Sequence, residues 1–143
     1  MGAFVTEVRP RWSDMDAFGH VNHANTVTLL EDARVGLLFV EASRRGLTGM
    51  AQGMVVARLV VNYHAPLVFT GDPVRVEIAV RALRAASFVL DYRLYGGRSE
   101  QDEVVATAET LMAPFDVAAG RPRRLTEAER DFLAGYHSGG RVA

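Results

Sequence analysis

The sequence predicts an α+β domain built on an antiparallel sheet, and three observations carry that expectation. Several short segments alternate apolar and polar residues with the period of a half-buried strand. One long stretch, residues 23–43, is apolar at helical spacing. The order is one strand, that helix, then about four strands joined by short turns, which implies antiparallel neighbours. At 143 residues the chain fits one domain, taken as residues 1–137, with a frayed tail over 138–143.

Each element has its own local reason. Over residues 4–12, Phe4, Val8 and Trp12 share one face and Glu7, Arg9 and Arg11 the other, which predicts a strand. Pro10 cannot donate to a ladder, so it marks an edge or bulge near the end. A turn-rich cluster, residues 13–22, follows. In the helix, Val27, Leu30, Glu31, Arg34, Leu37, Leu38 and Glu41 fall on one side. Leu29, Ala33 and Val40 fall on a second, and Val35 and Phe39 on a third. A helix apolar nearly all round is expected to be buried. Gly46 and Gly49 suit its exit. Residues 54–64 are rich in Val and Leu, and Thr70-Gly71-Asp72-Pro73 reads as a turn. Val74, Val76, Ile78 and Val80 alternate with Arg75, Glu77, Ala79 and Arg81, the clearest strand. Phe88, Leu90, Tyr92 and Leu94 form the next, Gly96-Gly97 turns the chain, and residues 104–115 form the last. Thr126 as N-cap with Glu129 in capping-box position predicts a short helix over 125–136.

Composition narrows the function classes. Apolar residues make up 49 % and charged residues 23 %, an ordinary globular balance. A net charge of −1 gives no global field for nucleic acid or an acidic membrane. The absence of cysteine excludes disulfides, thiol chemistry and Cys-ligated metals, and fits the cytoplasm. The first residues lack the apolar core of a signal peptide, and no run reaches the roughly 18 apolar residues of a membrane span. No His/Asp/Glu spacing matches a tight ligand set, so no metal site is expected.

The chemistry concentrates in residues 12–34, where Asp14 and Asp16 stand beside Gly19, His20, Asn22 and His23 at the mouth of the apolar helix. A helix start leaves backbone N–H groups unpaired and favours negative charge. A carboxylate beside it can attack a carbonyl while those N–H groups hold the oxyanion. Read from the residues alone, Asp16 could equally accept turn or cap hydrogen bonds. Asp14 reads as a structural acid that positions the loop, and His20 and Asn22 as residues that fix it. Glu31 and Arg34, three apart on one face, read as a buried ion pair.

Asp14-Met15-Asp16-Ala17-Phe18-Gly19-His20-Val21-Asn22 resembles the D-x-D-x-x-G-H-V-N signature of hotdog-fold acyl-CoA thioesterases, in the 4-hydroxybenzoyl-CoA thioesterase-like branch. Leu30-Glu31-Asp32-Ala33-Arg34 resembles that family's L-E-x-A-R helix. Val61-Asn62-Tyr63-His64-Ala65-Pro66-Leu67 and Gly71-Asp72 resemble its strand, proline and G-D turn, and the likeness spans residues 5–115. The resemblance implies a long central helix wrapped by a five-stranded antiparallel sheet, with protomers joining sheets as homodimers or homotetramers. It implies hydrolysis of an acyl-CoA or acyl-carrier-protein thioester, with Asp16 as nucleophile or general base and the His23 backbone N–H as oxyanion donor. The substrate-facing set is then Gly19, His20, Asn22, Thr26, Glu31 and Arg84. Thr26 stands where the family commonly has Tyr, which implies a roomier or more polar acyl pocket. Glu31 enters because a related branch takes its carboxylate from this helix. Arg84, beside Ser87-Phe88, is favoured over Arg58, Arg81 and Arg93 for a coenzyme A phosphate. No metal or redox cofactor is implied, since coenzyme A arrives as part of the substrate. A dehydratase or hydratase of the same fold, pairing His20 or His23 with Asp16, and a non-catalytic acyl-CoA-binding module are the rival readings.

Overall fold

A computed structural model describes residues 2–137. The expected frayed tail, 138–143, lies outside the described residues. Strand β1 (Phe4–Val8) leads through a one-turn 3-10 helix (Trp12–Asp14) and a tight loop into α1 (His23–Val35). The helix continues through a π-helical stretch (Gly36–Glu41) into α2 (Ala42–Arg44) and stops at Gly46, whose φ of 79° is the left-handed geometry that glycine takes at little cost. A short α3 (Gly49–Gln52) precedes β2 (Met54–Tyr63), β3 (Val74–Arg81), β4 (Phe88–Tyr95) and β5 (Val104–Asp116). A two-residue β6 (Arg121–Pro122) and α4 (Glu127–Ala134) close the fold.

The five main strands form one antiparallel sheet in the order β1-β3-β4-β5-β2, with β6 paired to β5. This is the α+β hotdog architecture that the sequence predicts. The sheet curls round the helix. Val76, Ile78, Phe88, Leu90, Tyr92 and Leu94 point inward from its centre, and Leu29, Leu30, Ala33, Leu37 and Leu38 meet them from the helix. One polar chain crosses that core. The buried Tyr92 hydroxyl lies 2.9 Å from Thr110 Oγ1 and accepts from Arg34 Nη1 at 3.1 Å. Replacing Tyr92 by Phe strips both neighbours of a partner away from water. Chemical denaturation is expected to show a loss of about 1–3 kcal/mol; an unchanged midpoint would mean the polar chain contributes nothing.

Several expectations need correction. The first strand ends at Val8, because Pro10 removes a ladder donor, and Trp12 turns out to solvent at 75 % exposure instead of continuing the inner face. The helix is not buried all round. Its outer flank stays open, with Val40 and Glu31 exposed, since one curled sheet covers only one side. Glu31 and Arg34 do pair, at 3.5 Å, but not as two buried charges: the side chains are 61 % and 13 % exposed. Conversely, β3 and β4 are covered on both faces. Their outward acids Glu77 and Asp91 are buried beneath arginines, with Arg75 on Glu77 and Arg81 on Asp91. Gly49 opens α3 instead of ending the long helix. No helix among the described residues is long and apolar enough to cross a membrane.

Candidate active site

The turn before α1 is built from the acids outward. Asp14, 3 % exposed, accepts from the Arg11 N–H at 2.8 Å and from Arg11 Nη2 at 3.0 Å. Burial alone would push its carboxyl up. The Arg11 bonds and charge outweigh that and hold it below the ordinary carboxylate value. Its carbonyl accepts from the Asn22 N–H at 2.8 Å and from Asn25 Nδ2 at 3.1 Å, which ties the loop to the helix start. Asp14 is therefore the structural acid of the pair.

Asp16 sits in the tight part of the turn. Its N–H donates to the His20 carbonyl, and its Oδ1 accepts from the Phe18 N–H at 2.9 Å and the His20 N–H at 3.4 Å. Gly19 closes this turn with φ of 80°. Its N–H bonds the Asp16 carbonyl. The second carboxylate oxygen, Oδ2, has no hydrogen-bond partner among the described residues. Asn22 then caps α1, with Oδ1 accepting from the Ala24 N–H at 2.9 Å. The cap satisfies that donor and leaves the neighbouring His23 N–H with no acceptor among the described residues.

The segment after β2 supplies the opposite wall. The Val21 N–H donates to the Leu67 carbonyl, and His20 pairs with Val68. Between the two walls lies a cavity of about 440 Å³, a size that suits a small-molecule site. Asp16, His20, Val21, His23 and Thr26 line it from the turn and helix, residues 63–67 from the end of β2, and Leu94, Val105 and Ala106 form its floor. Asp16 and His23 thus share one cavity with His20 and Thr26, while Gly19 and Asn22 shape its wall from behind.

Two predicted residues are not brought here. Glu31 borders a separate cavity of about 160 Å³ with Arg34, Leu38 and Met54. Arg84 lies in the β3–β4 turn, its N–H on the Ser87 carbonyl. Leu94, at the other end of β4, lines the cavity. The length of that strand, about 20 Å, separates Arg84 from the site. In the other direction, Tyr63 and His64 are cavity residues outside the set that the sequence predicts. Tyr63 Oη donates to the His23 carbonyl at 2.7 Å, and His64 Nε2 lies 2.9 Å from Thr107 Oγ1. Their signal in the sequence is the Tyr63-His64-Ala65-Pro66 strand end, which by itself marks only the fold. Among the described residues no group of three or more His, Asp or Glu side chains could hold a metal ion.

Known proteins match along most of the chain. The family model of the thioesterase-like superfamily matches residues 10–134. The acyl-CoA thioester hydrolase YbgC of Escherichia coli O6:H1 is 28 % identical over 126 residues, covering 87 % of this chain and 91 % of YbgC. The PA5185 protein of Pseudomonas aeruginosa PAO1 superposes with a TM-score of 0.80 at 23 % identity, over 95 % of this chain and 92 % of its own. A thioesterase of Thermus thermophilus, solved with coenzyme A and zinc, superposes with a TM-score of 0.72 at 26 % identity, over 92 % of each chain.

Proposed function

The chain belongs to the hotdog-fold thioesterase-like superfamily and is a thioester hydrolase, and we propose that it cleaves acyl-CoA to a free acid and coenzyme A with Asp16 as the working carboxylate. One observation carries this reading: Asp16, with an unbonded carboxylate oxygen, and His23, with an unpaired helix-start N–H, line the same cavity. A thioester needs both. As an oxygen nucleophile adds to its carbonyl carbon, negative charge gathers on the carbonyl oxygen, where the His23 N–H and the positive end of α1 lower its energy. Asp16 either adds directly, giving a mixed anhydride that water opens, or takes a proton from the attacking water. Thr26 contributes a small polar wall, leaving room for the acyl group beside Leu94 and Ala106.

The assembly follows from β2. Its outer edge pairs with no strand among the described residues, yet Val55, Val56, Leu59 and Tyr63 along it are exposed apolar residues. An open apolar edge is satisfied by a second copy pairing about a two-fold axis, as a homodimer or a tetramer of such dimers. Antiparallel β2 pairing turns the far end of the partner's sheet toward this cavity, so Arg84 serves the partner's coenzyme A phosphates, not its own protomer's. We place the enzyme in the cytoplasm, which a chain without cysteine suits.

The test is thiol release from short, medium, long and aryl acyl-CoAs, with acyl-carrier-protein thioesters alongside. Turnover of at least one acyl-CoA is expected. Binding of every acyl-CoA without turnover would favour the binding-module reading, and hydration of an enoyl-CoA without thiol release the hydratase reading.

A further inference from the structure

We propose that Tyr63 is a positioning residue that holds the oxyanion donor in register with Asp16. This inference rests on the proposed roles of Asp16 and His23. A lone backbone N–H stabilises a developing oxyanion only when its place relative to the attacking oxygen is fixed, because an error of about 1 Å can cost on the order of 10²-fold in rate. In this fold the donor and the carboxylate belong to different elements. Asp16 lies in the turn, and that turn is anchored to the segment after β2 through Val21 on Leu67 and His20 on Val68. His23 is the first residue of α1. Tyr63, the last residue of β2, joins it to the same segment. Its hydroxyl donates to the His23 carbonyl at 2.7 Å, and its ring meets the His23 imidazole edge-on, with centroids 6.4 Å apart. Residues 63–68 therefore hold both halves of the site from one stretch of chain.

The contact is not needed to satisfy the backbone. The His23 carbonyl already stands where the helix ladder uses it, so the phenol makes a second bond to it. Nor does the phenol belong to the core, since Tyr63 lies on the edge strand that the proposed second copy would pair with. Burial of the hydroxyl pushes it above the ordinary phenol value, so it remains a donor through the neutral range. A stable donor bonded to the first helical residue, beside the cavity, fits a role in aim better than a role in core stability.

The experiment compares wild type with Tyr63→Phe, which keeps the ring and removes the hydroxyl. On the best acyl-CoA of the panel, kcat is expected to fall about 10- to 100-fold with KM within twofold. ¹⁵N relaxation of the His23 and Ala24 amides is expected to show greater mobility in the variant. An unchanged kcat overturns the proposal, as does a raised KM at constant kcat, which would make Tyr63 a substrate contact. Unchanged amide relaxation overturns it even if no acyl-CoA is hydrolysed, so this arm separates its failure from failure of the functional reading. Tyr63→Trp, which retains a ring N–H donor but places it elsewhere, should not restore kcat.

Discussion

Exchanging Asp16 for Asn is expected to lower kcat at least about 10²-fold while leaving KM and the melting temperature near wild type. The fold should tolerate the change because the turn uses Asp16 as an acceptor. Its Oδ1 takes the Phe18 and His20 N–H groups, and an amide oxygen can take the same two. What Asn cannot do is add to a carbonyl as a carboxylate or remove a proton from water. The rate loss therefore isolates the second oxygen, the one left without a partner. Single-turnover hydrolysis in H₂¹⁸O with excess enzyme then separates the two routes. Unlabelled acid in the first turnover, with the label left in the Asp16 carboxylate, marks a nucleophilic Asp16 whose anhydride water opens at the Asp16 carboxyl carbon, whereas water activated by a general base attacks the acyl carbon and delivers the label to the acid. Full activity in Asp16→Asn would mean that another carboxylate works, and Glu31 is the next to test. Its place on a different cavity, beside Arg34 and Met54, makes that outcome the less expected one.

The turn was legible because it is local. The side-chain bonds on Asp14, Asp16 and Asn22, from Arg11, Phe18, His20 and Ala24, span two to four residues, and the residue types announce the geometry: an acid, a glycine in left-handed backbone, an asparagine cap. Strand alternation and the capping box of α4 were legible for the same reason. The missing parts depend on tertiary placement. Tyr63 reaches His23 across 40 positions, and no periodicity in residues 54–64 states which end of β2 abuts the helix start. Arg84 has the right chemistry for a phosphate, but the direction of β4 sends its turn to the far end of the sheet. Glu31 falls on the expected flank of the helix. Whether that flank is covered depends on sheet curvature, which the spacing of one helix does not encode. β6 and α3 are too short, at two and four residues, to carry a period.

At the opposite end of the sheet, removing Glu129 is expected to produce the reverse signature: a large stability loss with kcat intact. Glu129 is 3 % exposed and accepts from Arg123 through both guanidinium arms, at 2.9 and 3.0 Å. The same carboxylate takes the Thr126 N–H at 2.9 Å, while Thr126 Oγ1 takes the Glu129 N–H, completing the capping box. The helix so fixed places Phe132, Leu133 and Tyr136 into the core, and Tyr136 meets the Phe4 ring edge-on at 5.9 Å. Glu129→Ala removes the return half of the capping box, the bond from the Thr126 N–H, and strands a mostly buried guanidinium. With Arg123 still a quarter exposed, the cost is expected at about 3 kcal/mol, below the upper range for fully buried pairs. That corresponds to roughly 10 °C in Tm for a chain of this size. The pH dependence has a definite sign. Burial raises the Glu129 carboxyl, but Arg123 and the Thr126 bonds outweigh it and hold it below its ordinary value. The folded state then binds fewer protons than the unfolded one, so the contribution is complete above the unfolded value of about 4.3 and is lost as pH falls through the folded one. Asp14 adds the same sign. Thermal melts should be flat on this account from pH 7 to 5 and drop below about 4, with a shallower drop in Glu129→Gln. Parallel acid slopes in wild type and Glu129→Gln would remove Glu129 from that transition. The variant's kcat below its melting range should match wild type because Asp16 and His23 lie at the other end of the sheet; α4 holds the turn that carries Arg84, with the Leu125 N–H on the Ala85 carbonyl and Arg130 on the Arg84 carbonyl, so any cost to function is expected in KM. A kcat loss there would mean that the two ends of the sheet are coupled through the long helix.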